Sequence, residues 1–209
     1  MRANFILRLA LAATFALVGE AAYASSLMIN GSFEENIQTT GSWSTYANLT
    51  GWTGGPNQIE LRNNVAGTAF DGVNFVELDT FANSSISQTV GTTNGQTYYL
   101  SFAYAPRINV PASSNGIEVL WDGNPLGTFT GDGFVSSAWT LYTFSVLGTG
   151  SDTVTFMAVG TSDSFGGSLD AVSLTATPLP AALPMFATGL GALGLLFWRK
   201  KQKAKALAG

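Results

Sequence analysis

Residues 97–105 read Thr-Tyr-Tyr-Leu-Ser-Phe-Ala-Tyr-Ala, with a large side chain at every second position. The members of this set are Tyr98, Leu100, Phe102 and Tyr104. Successive side chains of a β-strand point to opposite faces, so these four share one face of an extended strand. Tyr142, Phe144 and Val146 repeat the pattern. A period of two residues predicts strands with one buried face.

The same strand-like character extends over residues 27–175, which are rich in Thr, Val, Phe and Tyr and are interrupted by Gly, Asn and Asp. The predicted strands are 27–33, 58–61, 74–79, 85–90, 97–105, 116–121, 126–130, 140–146, 153–159 and 169–175. About ten short strands in one domain predict an all-β antiparallel sandwich, with a jelly roll as the expected form. A closed barrel is the alternative.

The composition excludes several kinds of chemistry. The 209 residues include no Cys and no His, which excludes a Ser-His-Asp triad, a Cys nucleophile, a disulfide and a His/Cys zinc site. Residues 25–177 contain twelve acidic residues against Arg62 and Arg107, a net charge of −10. Such a domain repels phosphate backbones, so we expect no nucleic-acid partner.

The N-terminus, residues 1–24, reads as a signal peptide. Two Arg precede the apolar run Leu9–Val18, and Ala22 and Ala24 supply the small residues that signal peptidase accepts. The prediction is cleavage after Ala24 and export by the secretion machinery. An uncleaved membrane anchor is the alternative.

The C-terminus, residues 177–209, has three parts in order. Pro178, Leu179, Pro180 and Ala181 form a motif, residues 182–198 are apolar, and the basic residues that follow are Arg199, Lys200, Lys201, Lys203 and Lys205. The apolar run predicts a transmembrane helix that transiently anchors the chain in an inner membrane. The positive-inside rule places the basic tail in the cytoplasm and the preceding domain, residues 25–176, outside it.

This tail resembles the PEP-CTERM sorting signals of Gram-negative bacteria, in the variant whose motif is Val-Pro-Leu-Pro-Ala. Thr177 stands where that motif has Val. The resemblance implies processing by an exosortase and display of the protein on the cell surface or in an extracellular biofilm matrix. A simple tail anchor is the alternative.

The central domain resembles galactose-binding-like jelly rolls, the fold of many carbohydrate-binding modules. The motifs that carry the resemblance are Asn30-Gly31-Ser32-Phe33-Glu34, Gly51-Trp52, Ser87-Gln88-Thr89-Val90 and Leu169-Asp170-Ala171-Val172. The resemblance implies a β-sandwich domain that associates with extracellular polysaccharide. The predicted N-terminal signal helix and C-terminal hydrophobic helix flank this domain.

A structural calcium ion is one interpretation of Glu34 and Asp170, which match the positions of calcium ligands in related jelly rolls. Asp170 has the parity of Val172 and Leu174, so we expect it on the core face. A buried carboxylate needs a partner there. The alternative is a carboxylate that accepts hydrogen bonds from backbone N–H groups.

Sugar binding needs a flat aromatic ring beside groups that form hydrogen bonds. Tyr104 with Arg107, and Trp121 with Asp122, are the candidate ligand-binding pairs, and Trp43, Trp52 and Trp139 are further aromatic candidates. The alternatives are structural roles: core positions for the aromatic residues, and a salt bridge between Arg107 and a nearby acid such as Glu77.

The resulting hypothesis is a non-catalytic, secreted surface or matrix protein that binds extracellular polysaccharide. A structural or adhesive protein without sugar affinity is the first alternative. A polysaccharide hydrolase or lyase that uses paired carboxylates, among them Glu77, Asp79, Glu118 and Asp122, is the second.

Overall fold

The computed structural model describes residues 25–177 and Trp198, and residues 25–177 contain twelve β-strands. The strands are β1 (Ser42–Tyr46), β2 (Asn48–Leu49), β3 (Trp52–Gly54), β4 (Ile59–Asn63), β5 (Asn74–Glu77), β6 (Ser85–Gly91), β7 (Thr97–Ala105), β8 (Gly116–Trp121), β9 (Asn124–Phe129), β10 (Thr140–Leu147), β11 (Ser151–Val159) and β12 (Ser168–Ala176). The predicted all-β class is confirmed.

The strands form two six-stranded sheets. Sheet A has the order β1-β4-β5-β12-β7-β10, and sheet B has the order β2-β3-β6-β11-β8-β9. Every pair of neighbouring strands is antiparallel. Each sheet has two edge strands, so the fold is the predicted sandwich and not a closed barrel.

The core lies between the two sheets. Tyr98, Leu100, Phe102 and Tyr104 are all buried, as their alternation in β7 predicts. Phe102 of sheet A meets Phe156 of sheet B edge to face, with ring centroids 5.2 Å apart. Fully burying one such side chain stabilises the fold by roughly 1.5–3 kcal/mol. This contact holds the two sheets together.

The predicted strand at residues 27–33 is wrong. Asn30 and Phe33 have φ angles of 52° and 61°, which an extended strand does not accommodate. The segment instead makes isolated backbone hydrogen bonds to β12, from Leu27 N to Leu174 O and from Val172 N to Gly31 O. The three short strands β1–β3 follow it and were not predicted.

A β-bulge in β12 changes the expected parity of Asp170. Leu169 pairs with Tyr104 and Leu174 pairs with Leu100, both on the core face, but the register shifts between Asp170 and Ser173. Ala171, at the shift, has a φ of 48°. The bulge adds a residue, so Asp170 lies on the outer face of sheet A and not on the core face of Val172 and Leu174.

The predicted signal peptide with its cleavage site at Ala24, the sorting motif Pro178–Ala181 and the basic residues Arg199, Lys200 and Lys201 lie outside the described residues. The predicted transmembrane helix, residues 182–198, also lies outside them except for Trp198. Within residues 25–177 and at Trp198, no helix is long and apolar enough to cross a membrane.

Candidate functional site

The outer face of sheet A, opposite to the core, carries charged and aromatic residues on β1, β4 and β5. Two cross-strand rows define it: Trp43, Arg62 and Phe75 in one, and Thr45, Glu60 and Glu77 in the other. Ile59 and Leu61 alternate with them and face the core. The alternation of β4 therefore sends its two charged side chains to one side and its two large apolar side chains to the other.

Arg62 is the centre of an ion-pair network on this face. Its Nε lies 2.5 Å from Glu60 Oε1, and its Nη2 lies 3.1 Å from Glu77 Oε2. The side chain is fully buried and its guanidinium carbon lies 5.9 Å from the centroid of Phe75. A buried guanidinium with two carboxylate partners holds both carboxylates in place.

Glu77 has an unusual protonation behaviour. Burial raises the pKa of its carboxyl to about 7, although the charge of Arg62 opposes the shift. Repulsion from Glu60 adds to the effect of burial. The negative charge of Glu77 is therefore only partly developed near neutral pH.

Arg107 reaches the same carboxylate from the residues that follow β7. Its Nη1 lies 3.9 Å from Glu77 Oε2, so the sequence-based salt-bridge alternative to Glu77 is present, at the long limit for an ion pair. Its guanidinium lies over the ring of Phe165, 4.5 Å from the centroid. Burial lowers the pKa of Arg107, with a smaller contribution from the charge of Arg62. The two basic residues of the domain thus converge on one buried acid.

The backbone of Arg107 is fixed by a residue that the sequence did not single out. Arg107 N donates to Asn115 Oδ1 at 2.9 Å, and Asn115 Nδ2 donates to the carbonyls of Val110 and Gly131. Asn115 is fully buried. One amide therefore ties together the segment after β7 and the loop after β9, which sets the position of Arg107.

A surface cleft opens beside these charges. It has a volume of about 330 Å³ and is lined by Trp43, Thr45, Glu60, Thr80, Phe81, Arg107, Ser164 and Phe165. Trp43 is 55% exposed and Phe81 is 70% exposed. We call this the Trp43 cleft. It combines exposed aromatic rings with one carboxylate and one guanidinium.

A second cleft shares Arg107 and Phe165 with the first. It has a volume of about 310 Å³ and is lined by Ala66, Arg107, Ile108, Asn109, Val110, Pro111, Asp163 and Phe165. We call it the Ile108 cleft, after its exposed apolar residue. Arg107 and Phe165 line both clefts, and we call this stacked pair the ridge.

The loop that carries Phe165 is held by a buried carboxylate. Asp79 Oδ2 accepts hydrogen bonds from the backbone N–H groups of Asp163 and Ser164, at 2.9 and 3.1 Å. Asp163 Oδ1 in turn accepts one from Phe165 N at 3.2 Å. The wall of both clefts is therefore built by hydrogen bonds within the domain.

The other predicted ligand-binding residues lie elsewhere. Tyr104 is 2% exposed, and its hydroxyl donates to Asn115 O at 2.7 Å, so it belongs to the core, although its edge lines a separate cavity. Trp121 is buried in sheet B, and its Nε1 donates to Leu147 O at 3.1 Å. Asp122 follows it in the β8–β9 turn and accepts a hydrogen bond from Thr153 N. The structure does not bring these three residues to Arg107.

Glu34 and Asp170 meet the loop at residues 70–74 from two sides. Asp170 Oδ2 accepts from Phe70 N and Asp71 N, at 2.8 and 2.9 Å, and Glu34 Oε1 accepts from Val73 N and Asn74 N. Asp170 Oδ1 accepts a further bond from Ala171 N. Burial raises the pKa of Asp170 to about 7, because these hydrogen bonds only partly compensate for it.

These contacts fit the amide-capping interpretation, because three of the four carboxylate oxygens of this pair accept backbone N–H groups. A structural calcium ion, which takes six to eight oxygen ligands, stays a prediction for this pair. Within the described residues, no group of three or more acidic side chains is arranged to hold a metal ion.

The carboxylates considered for hydrolysis are dispersed. Glu77 is ion-paired under the outer face of sheet A, and Asp79 caps the loop of Phe165. Glu118 lies on β8 of sheet B, where it pairs with Met157. The structure therefore does not bring Glu77 and Glu118 together on one sheet.

No protein-family model matches the chain. The chain is 32% identical over 153 residues to a multifunctional-autoprocessing repeats-in-toxin of Vibrio vulnificus, and 30% identical over 154 residues to one of Vibrio cholerae serotype O1. The alignments cover 71% and 73% of this chain. The chain spans about 3% of the length of these curated relatives.

Solved structures with TM-scores above 0.5 share the fold of this chain. The Stig cyclase Fisc from Fischerella sp. TAU has a TM-score of 0.56 at 16% identity, covering 76% of this chain and 100% of that one. The MgGH51 α-L-arabinofuranosidase has a TM-score of 0.54 at 14% identity, covering 77% of this chain and 28% of that one. TmCBM61 in complex with β-1,4-galactotriose has a TM-score of 0.47 at 18% identity, covering 73% and 99%. At these identities the similarity concerns the fold alone.

Proposed function

We propose that the protein binds an extracellular polysaccharide in the Trp43 cleft and has no catalytic role. The observation that supports this most directly is the exposed indole of Trp43 beside Glu60 and Arg107 in one cleft of about 330 Å³. A sugar presents an apolar C–H face and an edge of hydroxyl groups. Binding it takes an aromatic surface for the face and both hydrogen-bond acceptors and donors for the edge.

The polar groups of the cleft suit hydroxyl recognition. Glu60 is held in place by Arg62, and its carboxylate offers acceptor sites to a hydroxyl donor. In the described residues the guanidinium of Arg107 donates one hydrogen bond, to Ser164 O at 3.4 Å. Its remaining N–H groups are available as donors to a sugar oxygen.

The cellular localisation of the protein is part of the same proposal. We place it at the surface or in the matrix of a Gram-negative bacterium, after signal-peptide cleavage at Ala24 and exosortase processing at the motif Pro178–Ala181. The order of motif, apolar run and basic cluster in the sequence supports this. Thr177, the residue before the motif, still donates a backbone hydrogen bond to Thr97 O at 3.0 Å. Processing there would leave a new C-terminus directly beside the folded sandwich.

The toxin relatives support a modular role. A segment of about this length forms a small part of each of those much longer chains. A similar segment thus occurs in this short chain and in much longer ones. This suits a recognition module, which binds its partner through its own surface residues.

Affinity measurements on the full-length protein, purified in a mild detergent, test the proposal. The probes are neutral glucan, xylan, mannan, arabinan and β-1,4-galactan. We expect at least one to bind, and Trp43→Ala to weaken its binding about tenfold or more, the loss of one stacking ring. Phe134→Ala is the matched control, because Phe134 is a 65% exposed aromatic residue that lines neither cleft.

Two outcomes would overturn the proposal. Absence of binding to every glycan would leave the structural or adhesive alternative. Release of reducing ends or unsaturated products from a bound glycan, lost in Glu118→Gln, would support the enzyme alternative.

A further inference from the structure

We infer that the bound polysaccharide is an extended, uncharged chain that lies across both the Trp43 cleft and the Ile108 cleft, passing over the ridge of Arg107 and Phe165. This inference rests on the proposed function and extends it from one cleft to two. It defines the ligand as an internal stretch of a neutral glycan, as opposed to a single sugar or a chain end.

The geometry of the ridge supports a continuous site. Arg107 and Phe165 line both clefts, so a ligand that contacts either side contacts the same pair. Phe165 is 47% exposed although Arg107 covers part of its ring. The top of the ridge is thus an aromatic ring backed by a cation, a surface on which a sugar ring packs.

Each cleft has an exposed apolar surface of its own. Trp43 and Phe81 provide it on one side of the ridge, and Ile108, 48% exposed, provides it on the other. Volumes of about 330 and 310 Å³ are each at the lower limit of small-ligand pockets. Two neighbouring clefts of similar size are better suited to successive sugar units of a polymer than to one compact ligand.

The charges of the clefts favour an uncharged chain. Each cleft is lined by one carboxylate, Glu60 or Asp163, and the two clefts share the single guanidinium of Arg107. These carboxylates accept hydrogen bonds from hydroxyl groups but repel sugar acids. The net charge of −10 over residues 25–177 adds a repulsive field against polyanions.

The ridge is also fixed before any ligand binds. Arg107 N is held by Asn115, and the Phe165 loop is held by Asp79 and Asp163. A rigid ridge loses little conformational entropy on binding, which suits a site that depends on several weak sugar contacts.

Calorimetric titration of the full-length protein in detergent tests this inference. The probes are gluco-, xylo-, manno- and galacto-oligosaccharides of two to six units, from the series that binds. We expect the hexamer to bind at least about tenfold more tightly than the dimer. Ile108→Ser should remove this gain and leave the dimer affinity unchanged, whereas Trp43→Ala should weaken both.

Several outcomes would overturn the inference and leave the proposed function intact. One is an affinity that stops increasing at the dimer. Another is an Ile108→Ser variant with unchanged hexamer affinity. A third is binding of polygalacturonate as tight as that of neutral β-1,4-galactan, at both 50 and 500 mM NaCl. If no glycan of any length binds, the proposed function itself fails.

Discussion

The outer face of sheet A at β4 and β5 differs in burial from the outer face of sheet B at β6 and β11. On sheet A, loops cover charged residues, so Arg62 and Glu77 are fully buried although they point away from the core. On sheet B, the outward positions of β6 and β11 carry small hydroxyl residues that remain at least partly exposed, namely Ser85, Ser87, Thr89, Thr153 and Thr155. Both faces are built from alternating strands. The difference lies in what covers them.

This comparison shows why the candidate site lies on sheet A. Covering loops convert an ordinary polar strand face into a desolvated one, where charges interact strongly and side chains are held in single positions. The uncovered face of sheet B leaves its hydroxyl groups to water. On the covered face, an acid and a guanidinium, Glu60 and Arg107, line one cleft.

The largest expected effect is the loss of the buried ion pair in sheet A. Arg62→Met removes the guanidinium that partners both Glu60 and Glu77, and leaves the two carboxylates without their shared buried cation. Breaking a buried pair by removing one partner lowers the free energy of unfolding by about 3–5 kcal/mol. Urea denaturation of the full-length protein measures this effect.

The matched change on sheet B is Ser87→Ala, which removes one polar group from an outward position. We expect it to change the free energy of unfolding by less than about 0.5 kcal/mol. Equal effects of Arg62→Met and Ser87→Ala would contradict the difference between the two faces.

The second expected effect concerns how the free energy of unfolding depends on pH. Buried carboxyls of sheet A and of sheet B contribute to it with opposite signs. Burial raises the pKa of Asp170, on sheet A, to about 7, so between about pH 4 and pH 7 its folded carboxyl keeps a proton that the unfolded chain has lost. Stability therefore falls as pH rises through this window. Glu77 has a similarly raised pKa and contributes to the same fall.

Asp152 on β11 of sheet B behaves in the reverse way. Burial alone would raise its pKa, but hydrogen bonds from Thr92 and Thr149 lower it to about 2. Its folded carboxyl is ionised between about pH 2 and pH 4 while the unfolded one is protonated, so stability rises with pH there.

Thermal melting across pH 2–8 checks these slopes. Asp170→Asn should flatten part of the fall above pH 4, and Asp152→Asn should flatten the rise below it. A melting temperature that rises steadily up to pH 7 would contradict the assignment.

The same melting experiment separates the two interpretations of Glu34 and Asp170. Amide capping predicts that adding EDTA leaves the melting temperature unchanged. A decrease with EDTA that calcium reverses would instead support a structural calcium ion at this pair.

The sequence predicted the sandwich because alternation is a local property. The period of two in β7 and β10 is sufficient to identify a buried face, and both strands lie where it placed them. The prediction for residues 27–33 was wrong because the segment contains a turn, closed by a hydrogen bond from Phe33 N to Asn30 O, at residues with positive φ angles.

The site was harder to predict than the fold. Arg107 stood out because basic residues are scarce, and Trp43 was one of several aromatic candidates. Glu60 and Phe165 gave no such signal, because Glu60 reads as an ordinary solvated strand position and Phe165 as a loop residue. Their role depends on which loops cover sheet A, and that follows from tertiary packing alone. The bulge that moves Asp170 to the outer face of sheet A likewise depends on strand pairing, which the local sequence pattern does not contain.

The smallest expected effect concerns the outer face of sheet B. Thr89 Oγ1 and Thr153 Oγ1 lie 2.8 Å apart in an exposed hydrogen bond between β6 and β11. Water replaces either partner, so Thr153→Val should change the free energy of unfolding by less than about 0.5 kcal/mol, helped by the high strand propensity of Val. Glycan affinity should also be unchanged, because this pair lines neither cleft. A loss of affinity in Thr153→Val would place a ligand on the uncovered face and overturn the assignment of binding to sheet A.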